Sequence, residues 1–88
     1  MQPILLMKLQ RCPHCRRAME MIEDLLQQHP EYREIPLKIV NEDEEPAFAE
    51  TLDYYYVPTF FVAGEKVHEG VPTEAAIAEV FQRAWMAK

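Results

Sequence analysis

The chain has 88 residues, a net charge of −6, 49% hydrophobic residues and 27% charged residues. This length favours one domain, residues 1–88, with a single core. Two cysteines are too few for a disulfide-stapled secreted scaffold, and the acidic balance argues against nucleic acid as a partner. No run approaches the roughly 20 apolar residues of a membrane span, and no secretory leader pattern is visible. We therefore expect a monomer of the reducing cytoplasm, with no membrane partner.

The first half of the chain predicts a strand, a helix, a second strand and a second helix. Residues 4–9 are an apolar run typical of a buried strand, and apolar positions at 3.6-residue spacing indicate a helix over residues 13–28. Residues 35–40 alternate as a strand, and Pro36 favours an edge position for it. A second helix is expected near Pro46, with an inward face made by Phe48, Leu52 and Tyr55.

The second half predicts a hairpin and a final helix. Residues 57–63 are typical of a strand, and Gly64-Glu65 predicts a tight turn into residues 66–69. Thr73 is a typical N-cap for the last helix. The apolar stripe of that helix comprises Ile77, Val80, Phe81, Ala84 and Trp85. The order β-α-β-α-β-β-α begins with a βαβ crossover, and it predicts an α/β fold with a four-stranded mixed sheet and helices on both faces.

Both cysteines fall in the tetrapeptide Cys12-Pro13-His14-Cys15, between the first strand and the first helix. Pro13 suits the first helical turn, so Cys12 stands at the helix N-terminus, where unpaired N–H groups and the helix dipole favour a thiolate. A disulfide across two intervening residues closes too small a loop to stabilise the fold much. The spacing therefore favours thiol–disulfide exchange, in which Cys12 attacks a disulfide and Cys15, one turn in, resolves the product.

Basic residues surround this pair. Residues 8–17 contain four cations and no acid, whereas residues 42–45 are all acidic. Arg11 and His14 are expected to favour the thiolate, and Arg16 is expected to attract anionic substrates. We expect the acidic run to be solvated surface.

The motif and the element order resemble those of a glutaredoxin, within the thioredoxin superfamily. The segment Cys12-Pro13-His14-Cys15-Arg16-Arg17-Ala18 is similar to the Cys-Pro-Tyr-Cys-Arg-Arg-Ala segment common in dithiol glutaredoxins. Val57-Pro58 resembles the Val-Pro pair that opens the third strand in that family. The resemblance implies a thioredoxin-like fold and a cis Val57-Pro58 bond at a corner that faces the dithiol. It also implies that Val57 pairs with the extended backbone of a substrate.

The resemblance further implies glutathione as a co-substrate, held near Gly70 and Thr73. Glutaredoxins carry a Gly-Gly pair in this region, whereas this chain has the single glycine Gly70. The electron source therefore stays open between glutathione and a thioredoxin reductase. Disulfide-containing proteins are the expected partners, and we expect no bound cofactor and no metal.

Two other classes of function remain open for this motif. Metal carriers also place Cys-x-x-Cys between a first strand and a helix, so a zinc, copper or iron–sulfur carrier module is an alternative. Two thiols and His14 are short of a closed tetrahedral site, which counts against it. The third class is a redox-inert adaptor of the same fold, and the presence of both cysteines counts against that reading.

Overall fold

A four-stranded mixed sheet organises the chain, and the computed structural model describes all of residues 1–88. The elements are β1 (Ile4–Lys8), α1 (Pro13–Gln28), a 3₁₀ helix (Pro30–Glu34), β2 (Leu37–Asn41), α2 (Pro46–Ala49), β3 (Thr59–Val62), β4 (Glu65–Glu69) and α3 (Glu74–Met86). The strand order is β2-β1-β3-β4, with β1 and β2 parallel and the other pairs antiparallel. This confirms the predicted element order and sheet. None of the helices combines the length and apolar character that spanning a bilayer requires.

Helix α1 has the bounds that its sequence predicts. Pro13 occupies its first turn, where the missing N–H costs no hydrogen bond. Ala18 and Ile22 are buried on its inward face. The helix ends at Gln28 because the following His29 precedes a proline, and the N–H of His29 closes the last turn on the carbonyl of Leu25.

Side chains from the two faces of the sheet form two separate hydrophobic clusters. The larger cluster lies between the sheet, α1 and α3 and comprises Ile4, Leu6, Ala18, Ile22, Ile35, Phe60, Val62, Ile77, Val80, Phe81 and Ala84. The smaller cluster on the opposite face has Met7, Val40 and Phe61 at its centre, with Phe48 and Leu52 packed against it. Helices therefore cover both faces, and β1 and β3 are buried between them.

The second helix is a single turn, so the predicted inward face is wrong in part. Helix α2 ends at Ala49, because both the N–H and the hydroxyl of Thr51 bond to the carbonyl of Phe48 and tighten the chain there. Leu52 still packs inward, but Tyr55 is 85% exposed. Tyr54 takes the inward position instead, with its ring edge-on to Phe61 at a centroid distance of 6.2 Å.

Other element boundaries also differ from the predicted ones. Strand β2 begins at Leu37 because the preceding residues form the 3₁₀ helix and the turn at Ile35-Pro36, and it is an edge strand as predicted. Strand β3 begins at Thr59, after Val57-Pro58. The hairpin turns at Ala63-Gly64, not at Gly64-Glu65, because both turn residues have positive φ, +51° and +83°.

Trp85 lies at the rim of the core, although it belongs to the predicted stripe of α3. The other four members of the stripe are buried, whereas Trp85 is partly exposed. Its ring lies beside Tyr32 of the 3₁₀ helix, at a centroid distance of 5.8 Å. The last turn of α3 is thus covered on one side by a segment that the sequence pattern did not predict.

The N-cap of α3 gives a direct test of the local structure. The Thr73 hydroxyl accepts a hydrogen bond from the N–H of Ala76 at 3.0 Å. We expect Thr73→Ala to lower the free energy of unfolding by about 1 kcal/mol, because it leaves that N–H without its partner. Urea unfolding measures the change. Thr73→Ser keeps the hydroxyl and is expected to lose much less, and an equal loss in both variants would contradict the capping role.

Candidate active site

Three segments of the chain meet at one edge of the sheet. Met7 of β1 lies opposite Thr59 of β3, and Thr59 lies opposite Glu69 of β4. Because both strand pairs are antiparallel, the chain leaves β1, enters β3 and leaves β4 at the same edge. The Cys12 loop follows β1, Val57-Pro58 precedes β3, and Gly70 follows β4. The sheet register therefore brings together the candidate site residues that the sequence analysis identified.

Cys12 is the N-cap residue of α1. Its backbone is extended, with φ −139° and ψ 109°, and its Sγ accepts a hydrogen bond from the N–H of Cys15 at 3.1 Å. This N–H is one of those that a helix N-terminus leaves without a backbone partner. The sulfur thus receives a backbone hydrogen bond and lies at the positive end of the α1 dipole. Cys12 is half-buried, so part of this residue is exposed to solvent.

Cys15 lies one turn further along α1, and its surroundings differ from those of Cys12. Its side chain is 2% exposed, and both thiols are free. Burial, followed by the hydrogen bond and charge of Cys12, raises the pKa of the Cys15 thiol from 9.0 to about 11, against the lowering effects of the Leu9 backbone and Lys8. The two sulfurs are thus chemically unequal, with an accessible, hydrogen-bonded Cys12 above a covered, protonated Cys15.

The predicted basic cluster surrounds the motif, and most of it carries no ion pair. Arg17 pairs with Glu20 at 3.7 Å. Lys8, Arg11 and Arg16 have no carboxylate within 4 Å, so their charges are not neutralised locally. Arg11, Pro13, His14 and Arg16 are all exposed next to the cysteines. The structure thus brings these predicted residues together around the accessible sulfur.

The Val57-Pro58 peptide bond is cis, as predicted. Pro58 is buried, and its carbonyl accepts a hydrogen bond from the N–H of Gly70 at 2.9 Å. Gly70 has φ +93°, a conformation that favours glycine. The N–H and carbonyl of Val57 form no hydrogen bond within the chain, so they stay available at the edge that carries Cys12.

Thr73 lies beyond this corner, and its hydroxyl is already engaged. It caps α3 through the N–H of Ala76. The predicted substrate-binding set therefore divides into two groups. Val57, Pro58 and Gly70 are joined through the hydrogen bond between Gly70 and Pro58, whereas the side chain of Thr73 serves the helix.

Glu69 is a site residue that the sequence analysis missed. Its carboxylate accepts hydrogen bonds from the N–H groups of Tyr55 and Tyr56, the latter at 2.9 Å, and from Lys66 Nζ at 2.8 Å. The Lys66 bond, followed by those of Tyr55 and Tyr56, lowers the pKa of Glu69 from 4.5 to about 2. The carboxylate thus fixes the segment that enters Val57-Pro58. No local sequence signal indicates this contact, because 13 and 14 residues separate the partners.

A second carboxylate, that of Glu42, also contacts the tyrosine segment, residues 54–56. The Tyr54 hydroxyl donates to Glu42 Oε1 at 3.2 Å. Burial, followed by the Glu42 charge and this hydrogen bond, raises the pKa of Tyr54 from 10.0 to about 12. Glu42 itself is half-buried, so this first member of the acidic run is not the freely solvated residue that was expected.

No group of three or more His, Cys, Asp or Glu side chains is placed to hold a metal ion. Around the cysteines the geometry instead offers one accessible sulfur, one buried sulfur and a free backbone edge.

A helix-capping cysteine above a buried one, at a sheet edge that also carries a cis X-Pro bond, defines a thioredoxin-like dithiol site. Residues 3–82 match the family model described as the thioredoxin domain, and the chain belongs to that family. A thioredoxin of Methanocaldococcus jannaschii is 29% identical over 72 residues, which cover 82% of each chain.

Solved structures show the same fold. The oxidised thioredoxin of Plasmodium falciparum superposes with a TM-score of 0.70 at 20% identity, over 93% of this chain and 79% of that one. The thioredoxin of Fasciola hepatica gives a TM-score of 0.60 at 23% identity, over 94% of this chain and 80% of that one. These structures confirm the thioredoxin-like fold, and the family match confirms the superfamily that the sequence indicated.

The Glu69 contacts predict a pH-dependent contribution to stability. Because the folded state lowers the pKa of this carboxyl, its contribution is complete above the unfolded value of about 4.5 and is lost as the pH falls toward 2. We expect the stability gap between wild type and Glu69→Gln, measured by urea unfolding, to be largest above pH 5 and to close below it. Glu65→Gln, on an exposed residue of the same strand, is the control. A gap that does not change with pH would contradict the role of the charge.

Proposed function

We propose that this protein is a thiol–disulfide oxidoreductase that reduces disulfide-containing proteins or glutathione mixed disulfides, with Cys12 as the nucleophile and Cys15 as the resolving thiol. The observation that carries the proposal is the inequality of the two sulfurs. Cys12 is partly exposed and its Sγ accepts a hydrogen bond from the N–H of Cys15, whereas Cys15 is 2% exposed. An incoming disulfide reaches Cys12 first. The buried thiol of Cys15 lies in the same helical turn and acts in the second step.

The reaction has two exchange steps. The Cys12 thiolate attacks one sulfur of the substrate disulfide, and the second substrate sulfur leaves as a thiolate and takes a proton. Cys15 then loses its proton and attacks Cys12 Sγ, which forms the Cys12–Cys15 disulfide and releases the first substrate sulfur. Two electrons have passed to the substrate, and an external reductant must return the protein to the dithiol.

The free backbone of Val57 supports a binding mode for the substrate. Its N–H and carbonyl have no partner in the chain, so an extended substrate segment can pair with them in the manner of an added strand. Gly70 lies beside this position through its hydrogen bond to Pro58, and its φ of +93° favours glycine there. Arg11 and Arg16, which lack ion pairs, favour a substrate with negative charge near its disulfide.

Two observations bear on the electron source. The single glycine at Gly70 and the engaged hydroxyl of Thr73 argue against a preformed site for the γ-glutamyl end of glutathione. The curated relative in Methanocaldococcus jannaschii is named a thioredoxin. We therefore favour a thioredoxin reductase in the cytoplasm over glutathione as the reductant.

Serine variants test the roles of the two cysteines. Cys12→Ser is expected to reduce a disulfide-containing peptide no faster than buffer does, because it removes the attacking sulfur. Cys15→Ser is expected to trap a mixed disulfide on Cys12, detected by intact-protein mass spectrometry, because the resolving thiol is gone. Circular dichroism checks that both variants fold. Full activity in Cys12→Ser would overturn the proposal.

Coupled assays test the electron source. With the same disulfide substrate, we expect NADPH oxidation to be faster with thioredoxin reductase than with glutathione and glutathione reductase. The Cys12→Ser variant supplies the background rate in each assay. A faster glutathione-coupled rate would assign the protein to glutaredoxin-type activity instead.

A further inference from the structure

A cavity lies beside the buried thiol. It has a volume of about 220 Å³ and is lined by Lys8, Leu9, Gln10, Cys15, Arg16 and Met19. The lining contains two cations and no carboxylate. Cys15, although almost fully covered, therefore lines a space that also has two cations on its wall and is large enough to hold water.

The resolving step requires surroundings in which the buried Cys15 can ionise. Cys15 must lose its proton before it can attack, and burial opposes the charged form of its sulfur. On β1, Leu6 is fully buried and apolar, so that strand presents no carboxylate to take the proton. The charged or titratable groups that face the Cys15 sulfur are Cys12 on its own turn and Lys8 at the end of β1, with Arg16 on the cavity wall.

We propose that Lys8 activates the resolving thiol, with its ammonium group stabilising the Cys15 thiolate across the shared cavity. This inference rests on the proposed function. In the step, Cys15 S–H gives its proton to solvent through the cavity, the resulting thiolate attacks Cys12 Sγ, and the bond between Cys12 and the substrate sulfur breaks. The electron pair of that bond leaves with the substrate thiolate. Lys8 is thus a positioning residue that acts through Cys15 and not on the substrate.

The charges around Lys8 and Cys15 support this assignment. Lys8 has no carboxylate partner within 4 Å, so its field is not cancelled nearby. It lowers the pKa of Cys15, as does the Leu9 backbone beside it. Removal of the Lys8 charge therefore raises the pKa of Cys15 further, and the thiolate fraction at a given pH falls.

A chromogenic disulfide separates the two exchange steps. When the reduced protein reacts with 5,5′-dithiobis(2-nitrobenzoate) in a stopped-flow instrument, attack by Cys12 releases one coloured thiolate and resolution by Cys15 releases a second. The second phase is intramolecular, so its rate does not depend on reagent concentration. It therefore reports the resolving step without any effect of Lys8 on the arrival of the anionic reagent.

We expect Lys8→Met to slow the second phase by about threefold to tenfold near neutral pH and to displace its pH profile to higher pH, since one pKa unit is a tenfold change in thiolate. Lys8→Arg keeps the charge and is expected to restore both. Arg17→Met, in the same basic cluster but outside the cavity and paired with Glu20, is the matched control and should leave the second phase unchanged.

The outcomes are distinct. An unchanged second phase in Lys8→Met, or a Lys8→Arg variant as slow as Lys8→Met, would overturn the role of the Lys8 charge while the proposed function stands. Absence of a first phase in the wild-type protein would overturn the proposed function itself.

Discussion

The antiparallel register between β1 and β3 is the constraint on which the whole site depends. Because Met7 lies opposite Thr59, the dithiol loop leaves the sheet where Val57-Pro58 enters it. The register is held from both faces, since Phe60 packs into the larger hydrophobic cluster and Phe61 into the smaller one. A slip by one residue would exchange these two faces. The packing that stabilises the sheet therefore also sets which residues meet at its active edge.

Two different physical effects divide the work between the cysteines. Cys12 owes its character to local structure, because any residue at that N-cap meets the free N–H groups of the helix. Cys15 owes its character to tertiary burial between the helix and the sheet, which raises the pKa of its thiol. One motif of four residues thus holds two unlike sulfurs, a partly exposed one that caps the helix and a buried one whose thiol has a raised pKa.

Most of the cations near the dithiol are unpaired, whereas the carboxylate of Glu69 on β4 is fully engaged. The chain has a net charge of −6, yet the cations nearest the motif, Lys8, Arg11 and Arg16, carry no ion pair. The carboxylate of Glu69, by contrast, accepts hydrogen bonds from Lys66 and from the N–H groups of Tyr55 and Tyr56. Unpaired positive charge therefore remains near the sulfurs, whereas the negative charge of Glu69 holds the backbone that enters Val57-Pro58.

The sequence by itself determined the element order, the bounds of α1 and the placement of the dithiol at its N-terminus. These depend on Pro13, on the spacing of Ala18 and Ile22 and on Pro30, all of which act within a few residues of their neighbours. Only the tertiary structure decided the hydrogen bonds of Glu69 to the N–H groups of Tyr55 and Tyr56 and the cavity that Lys8 and Cys15 share. Such contacts depend on strand register and on how distant segments pack, and no local pattern of residues records either.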